Sequence, residues 1–480
     1  MILSTLRFSL ILLIILINLC YNRHMQKTLL VILDGLGDRP IKDFGGKTPL
    51  ESAKTPNMDL LAKRGICGVM NAMPKDLYPT SEEAHLAILG YDFKKDHPGR
   101  GVLEALGIGV KLKKDELAFR VDFSTVDKDL NLIDARAGVI DSVKDLCKAV
   151  DNIEIDNIRF KIYPSLQHRA VLVVSGDIVK KYIKEMDSRL RGNDNGWISD
   201  TDPHKAGPHK LGVRVLRPKA TGSSREGKTI ARALERYQLL SHEILNENKI
   251  NKKRFKKGLL AANFITTRGC GHLKDIDDFK EKFGAKSACI AGAPLYKGIS
   301  IYLGMKMLSV RGATGKLDTN VGAKVKASLK ALKKYDFVFL HIKGTDMAGE
   351  DYGDGKMKRD FIEKIDKELG GFLNIKNATI AITGDHATPC ELKDHSSDVV
   401  PVLISPSLRH SERSEAKSRK PLKNDEDKGK GFLRSSFQEV GRNDNQCHKD
   451  KVNKFGESYC KEGGLGHIYG KDFMKTLLGE

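Results

Sequence analysis

Three apolar runs in this chain end in an acidic side chain, and two of them carry a histidine close by. They are LLVILDGLGD (29–38), FVFLHIKGTD (337–346) and IAITGDHATPCELKDH (380–395). An apolar run of four to eight residues bounded by Gly and Asp reads as a strand covered on both faces. Such strands belong to mostly parallel sheets with helices on both sides, so an α/β fold is expected. Ligands in open sheets of this kind collect at the carboxyl ends of the strands. Asp34, Asp346, Asp385, His386 and His395 are therefore expected to project into one crevice. Bare carboxylates crowded together repel, and carboxylate with imidazole is a donor set for divalent metal.

A length of 480 residues allows two or three domains, and 40% hydrophobic with 30% charged content is that of a soluble globular chain. The formal charge of +20 invites a polyanionic partner. Against this, the lysines are scattered, with one dense run at Lys249–Lys257, and aromatics do not alternate with them as a nucleic-acid stacking platform requires. No nucleic-acid partner is expected; a positive field also draws in small phosphorylated substrates. The eight cysteines form no CxxC pair, which points to free thiols in a reducing compartment, and Cys390 reads as a packing residue. The apolar stretch Phe8–Cys20 is short for a membrane span, and no small-residue cleavage site follows it. Met25, directly before the first core strand, is the expected start, with residues 1–24 a leader outside the mature chain and no stable membrane association.

Along the chain, residues 25–92 and 259–480 are expected to form a discontinuous core, with ANFITTRG (262–269) resuming it. Residues 93–258 change texture, with strands LAFRVDFSTV (117–126) and RAVLVVSG (169–176), and read as an inserted α+β domain. Thr55-Pro56 opens a helix that Gly65 closes, and Met357–Leu373 is helical by its apolar spacing. Residues 188–196 and 406–449 are polar, lack any period and cannot bury enough surface to order themselves; both are expected to be insertions resembling translated mobile repeats.

Ser81 is the candidate nucleophile. TSEE (80–83) fits a capping box, with Thr80 as N-cap and Glu83 reaching back, which puts Ser81 in the first turn at the positive end of the helix dipole. A serine there becomes a competent nucleophile when a cation lowers its pKa. Arg100, Arg169 and Arg268 stand beside glycine or turn positions, where a guanidinium can grip phosphate or carboxylate bidentately. GATGK (312–316) is no P-loop, because Val310 stands where the first glycine belongs and Leu317 replaces the Ser or Thr.

At this point a family resemblance enters. LLVILDGLGDRP, GKTPLESAKTPNMDLLAKRG, SEEAHLAILGYD, GRGVLEALGIG, SDTDPH, GATGKLDTN, HIKGTD, TGDHATPCELKDHSSDVVPVLI and CKEGGLGHIYGKDFM together resemble the archaeal-type cofactor-independent phosphoglycerate mutases of the alkaline phosphatase superfamily. The resemblance runs from Lys27 to Glu480 apart from the two foreign stretches. It implies a cytoplasmic enzyme of glycolysis and gluconeogenesis that interconverts 2- and 3-phosphoglycerate through a phosphoserine at Ser81, without bisphosphoglycerate. It implies two divalent ions, manganese first, with magnesium or cobalt as options. One would be held by Asp34, Ser81, Asp385 and His386, the other by Asp346, His395 and the residue four after Asp346. The family usually has histidine there; this chain has Glu350 in AGEDYGD, with one extra residue before the next helix. Glu350 is taken as the ligand, with Asp351 or a weakened site as alternatives. The substrate-gripping set is Arg100, His168, Arg169, Arg268 and Lys297. Rival readings are a metal-dependent phosphatase or phosphodiesterase on the same scaffold, a membrane-tethered binding protein, and a decayed homologue. The oligomeric state is open.

Overall fold

The computed structural model describes residues 26–189, 198–203, 211–406 and 450–479. The leader expected at 1–24 and most of the insertions expected at 188–196 and 406–449 lie outside these residues.

The larger of two sheets contains β1 (Lys27–Leu33), β2 (Ile66–Asn71), β9 (Ser287–Ile290), β10 (Lys306–Met307), β11 (Phe337–Ile342), β12 (Ala378–Thr383), β13 (Val400–Ser405) and β14 (Gly466–Tyr469). Their order is β10-β9-β11-β1-β12-β13-β2-β14. Strand β1 runs parallel to β11 and to β12, and β9 and β10 continue the parallel run. Only β13 runs against its neighbours, β12 and β2, while β14 lies parallel to β2. The mostly parallel α/β sheet read from the sequence is thus present.

The unbroken apolar runs follow from this arrangement. Successive residues of a strand face opposite sides. Leu30 and Ile32 pack into one core with Phe337 and Phe339, whereas Leu29, Val31 and Leu33 pack into another with Val338, Leu340 and Ile342. Helices cover both faces, so no position of β1 from Thr28 to Leu33 is left to water. Each such side chain contributes roughly 1.5–3 kcal/mol, enough in sum to offset the burial of acids at the strand ends.

The second sheet is antiparallel throughout. It contains β3 (Leu117–Val126), β4 (Leu132–Asp134), β5 (Ile153–Ile155), β6 (Ile158–Pro164), β7 (Arg169–Ser175) and β8 (Phe264–Gly271). Strand β8 corrects an expectation. ANFITTRG does not resume the first sheet; its residues pair with β3, and Ile265 and Cys270 enter the core under the second sheet. A short apolar run specifies a strand without specifying its partner, and β3 offers an open edge along Ala118–Ser124. The helix Arg100–Gly107 links the two sheets, lying against β3 through Gly101 and against the helix Pro294–Tyr302. A Cβ on Gly298 would sit 1.7 Å from the Leu103 carbonyl oxygen, so only glycine permits that second approach.

The C-terminal segment completes the larger sheet through β14 and is fastened at Glu457. That buried carboxylate accepts hydrogen bonds from the Asp38 N–H (3.2 Å) and the Thr48 hydroxyl (2.7 Å). Burial pushes its pKa up to about 7 in spite of the Thr48 bond. The folded pKa is raised, so stability is fully present below the ordinary carboxyl value of about 4.5 and is lost as pH climbs to about 7. Glu457→Gln should remove this slope. In thermal melts the natural chain should lose ground to the variant between these two pH values, and the gap should stop growing above them; parallel melting curves would refute the assignment.

Candidate active site

Asp34 follows β1, Asp346 lies in the turn after β11, and Asp385 and His386 follow β12. These three strands are parallel neighbours, so their ends meet on one side of the sheet. His395 returns to the same place from the loop between β12 and β13, its ring stacked on that of His386 with centroids 3.7 Å apart. Asp34, Asp346 and Asp385 are fully buried.

Two sets of donor atoms arise, each within a 4.8 Å span: Asp34, Asp385 and His386, and Asp346, His386 and His395. His386 belongs to both. Its Nε2 lies 3.6 Å from Asp34 Oδ1, 3.2 Å from Asp385 Oδ2 and 3.3 Å from the Ser81 hydroxyl oxygen. Ser81 thus stands at the shared corner, in the first turn of the helix Ser81–Ile88. Thr80 caps that helix by accepting from the Glu83 N–H at 3.4 Å. The capping box is altered, however: the Glu83 carboxylate takes the Thr80 hydroxyl proton at 2.7 Å instead of reaching the backbone.

The electrostatics are those of a site built for cations. Burial pushes the Asp385 carboxyl well above its ordinary range, and the Asp34 charge adds to this; the Gly35 N–H, 2.9 Å from Asp385 Oδ1, pulls the other way. Burial also acts to raise Asp34 and Asp346, but Lys343 together with His341 at Asp34, and with His395 and His386 at Asp346, outweighs it and both fall below the usual range. The Lys343 ammonium lies 2.6 Å from Asp346 Oδ2 and 3.4 Å from Asp34 Oδ2. Burial presses His386 and His341 down to about 3, so both rings are neutral donors. For His395 burial is outweighed by Asp346, at 3.4 Å, and the ring rises to about 9. Asp34 Oδ1 and Asp385 Oδ2 are buried and accept no hydrogen bond. A buried unpaired carboxylate oxygen costs several kcal/mol, and a divalent ion shared by these oxygens and the His386 imidazole would satisfy both. The residues present therefore fit the metal that the sequence implied.

Glu350 is not in either set, although it is close enough for Asp346 to reinforce burial in raising its pKa. The extra residue noted in the sequence is absorbed in a wide π-type turn, Ala348–Tyr352. Asp351, the alternative ligand, is engaged 2.9 Å from Arg136. Cys390 stays outside the donor sets, its thiol 3.1 Å from Asp38 Oδ2.

The basic residues gather next to the serine. Arg100 reaches Glu82, the neighbour of Ser81, at 3.1 Å. Beyond it Asp122 gathers Arg120 (3.1 Å), His168 (3.4 Å) and Arg169 (4.0 Å), while Arg268 faces Asp202 at 3.8 Å. Burial, then Arg120, lowers the pKa of both Arg169 and Arg268. The Nε atoms of Arg100, Arg120 and Arg169 are buried without a hydrogen-bond partner, as befits donors that await an anion. Lys297 is not part of this group; its electrostatic neighbours are Lys324 and Cys289.

Several contributors escaped the sequence reading. Lys343 sits inside the HIKGTD motif, and His85, four residues after Ser81, shares its helix face and lies 3.4 Å from Asp385. Arg120 and Asp122 were visible as charges inside an apolar strand. Tyr296, which donates to Asp34, has no local signal.

Known proteins resemble this chain. The profile of the Metalloenzyme superfamily matches residues 26–424. A 2,3-bisphosphoglycerate-independent phosphoglycerate mutase from Thermococcus gammatolerans is 39% identical over 462 residues, 94% of this chain and 97% of its own. The chain belongs to that family. A second mutase of the family, from Methanocaldococcus jannaschii, is 38% identical over 94% of this chain and 96% of its own. Among solved structures, the PH0037 protein from Pyrococcus horikoshii matches with a TM-score of 0.71 and 33% identity, covering 95% of this chain and 97% of its own. A cofactor-independent phosphoglycerate mutase from Thermoplasma acidophilum matches with a TM-score of 0.58 and 29% identity, covering 95% and 99%.

The combined cost of burial and like charge at Asp385 can be tested directly. In chelator-treated protein, Asp385→Asn keeps an acceptor for the Gly35 N–H and removes a charge. Its melting temperature at neutral pH should rise on the order of 1 °C per kcal/mol relieved. The gain should vanish below about pH 3.8, where the unfolded carboxyl is also protonated. A variant no more stable at neutral pH would count against that cost.

Proposed function

We propose that this chain interconverts 2- and 3-phosphoglycerate without bisphosphoglycerate, through a phosphoserine at Ser81. The carrying observation is the place of the Ser81 hydroxyl, 3.3 Å from His386 Nε2 and between a carboxylate–imidazole cluster and a set of arginines. Family membership supports the same reading.

In this proposal Asp34, Ser81, Asp385 and His386 hold one divalent ion, and Asp346, His395 and Glu350 the other. Glu350 is preferred over Asp351 because Arg136 engages the latter. Manganese is the first choice, since carboxylate oxygen dominates the donor set. Bound there, a divalent ion supplies a Lewis acid that lowers the serine hydroxyl pKa and offsets phosphoryl charge. Ser81 Oγ forms a bond to phosphorus as the bond to the glycerate oxygen breaks, and the serine proton passes in net to the glycerate hydroxyl. The dipole of the helix Ser81–Ile88 adds positive potential at the phosphoserine. Arg100, Arg120, His168, Arg169 and Arg268 grip the glycerate carboxylate while the molecule reorients; Lys297 has no part in the grip. The second sheet closes over the substrate and keeps water from the phosphoserine, the distinction between a mutase and a phosphatase. The reaction belongs to glycolysis and gluconeogenesis, and the cytoplasm is its proposed compartment.

The test supplies 3-phosphoglycerate and manganese. Appearance of 2-phosphoglycerate supports the mutase, whereas free phosphate alone supports a phosphatase. Ser81→Ala should lower turnover roughly 10³- to 10⁶-fold, and labelled phosphate trapped during turnover should map to the peptide carrying Ser81. A label on another residue would sink the mechanism. Glu350→Gln should weaken manganese binding at least about tenfold, read by titration calorimetry; unchanged affinity would move the ligand role elsewhere.

A further inference from the structure

The one dense basic run of the chain plays no part in the site. It forms the helix Lys249–Lys256 and the turn after it. Phe255 on this helix is 80% exposed, the most exposed large apolar side chain among the described residues. Leu259 (49%), Leu260 (37%) and Val139 (49%) are exposed with it. Arg254 joins these segments, donating to the carbonyls of Leu260 and Ala137 at 2.8 Å each. The turn stands clear of the rest of the protein: a Cβ on Gly258 would meet nothing within 4 Å. Around the apolar tip lie Lys249, Lys252, Lys253, Lys256 and Lys257, all exposed. Of these, Lys252 pairs with Glu247 at 2.5 Å.

We propose that this tip docks reversibly on an anionic lipid surface. Its apolar side chains are exposed together on a helix end and the turn after it, which suits insertion into a deformable bilayer. Its charge is carried by lysines, which respond to a diffuse negative field, and not by arginine forks that read individual phosphates. Aliphatic side chains with a single aromatic offer little for nucleic-acid stacking but insert well among acyl chains. A second copy of the chain is disfavoured, since it would bring like charges together. The contact is peripheral, because no helix among the described residues is long and apolar enough to cross a membrane.

The experiment sediments the full chain with vesicles of phosphatidylglycerol and phosphatidylcholine, and with phosphatidylcholine alone. Binding is expected only to the anionic vesicles and should weaken with salt. Phe255→Ser should weaken it about tenfold, and the double variant Lys253→Glu, Lys256→Glu more than about 25-fold, taking about fivefold for each lysine lost. Mutase activity should be unchanged in all variants, because none of these residues touches the site. Absence of binding to the anionic vesicles, or binding that survives both variants and so belongs to another segment, overturns the proposal. So does displacement from the vesicles by single-stranded RNA at equal charge concentration, which would identify the tip as a nucleic-acid contact.

Discussion

Asp34, Asp346 and Asp385 are pressed into one buried volume because β11, β1 and β12 lie side by side and point the same way. The strands must be apolar on both faces to be buried at all, so their ends are the first positions where polar groups can appear. Carboxylates placed there lose their water and meet like charges. The protein answers with Lys343 between Asp346 and Asp34, with the Thr388 hydroxyl 2.8 Å from Asp346, and with the Gly35 N–H on Asp385. Two carboxylate oxygens still go without a hydrogen bond. That residual cost is the structural counterpart of affinity for a divalent cation.

The neighbouring cluster is the mirror image in sign. Four arginines lie close together, yet each faces an acid: Arg100 has Glu82, Arg120 and Arg169 share Asp122, and Arg268 has Asp202. The acids lower the energy of holding the arginines together without saturating their N–H groups. Ser81 and Glu82 are consecutive, one turned to the imidazole side and the other to the guanidinium side. One helical turn therefore joins the carboxylate–imidazole cluster and the arginine cluster, and a phosphoryl group on Ser81 would border on both.

Much of this was legible in the chain. The acid-terminated runs specified the parallel strands, and the helix-capping pattern at Thr80 located Ser81. The chemistry of strand ends then brought together Asp34, Asp346, Asp385, His386 and His395. What was not legible depended on three-dimensional choice. The stretch 262–269 looked like any core strand, and only the free edge of β3 determined its place. Tyr296 reaches Asp34 from a helix 262 positions away, which no local pattern encodes. Lys297, next to that tyrosine, is half-buried and has Lys324 and Cys289 as its electrostatic neighbours, which its place in the sequence did not reveal. The sharing of His386 by both donor sets was equally hidden, because it depends on the approach of the loop that carries His395.

The sheet order also constrains how this molecule comes into being. Strand β1 leaves the ribosome long before its two neighbours in the sheet, which begin at residues 337 and 378. Until translation has passed them, an entirely apolar strand has no lateral partner, and contacts of such long sequence separation form slowly. During that interval β1 is a natural client for chaperones or for misassociation. The second sheet, whose strands all fall between 117 and 271, can finish folding in the meantime. The nascent chain thus can complete the part that holds arginines before the part that gathers acids.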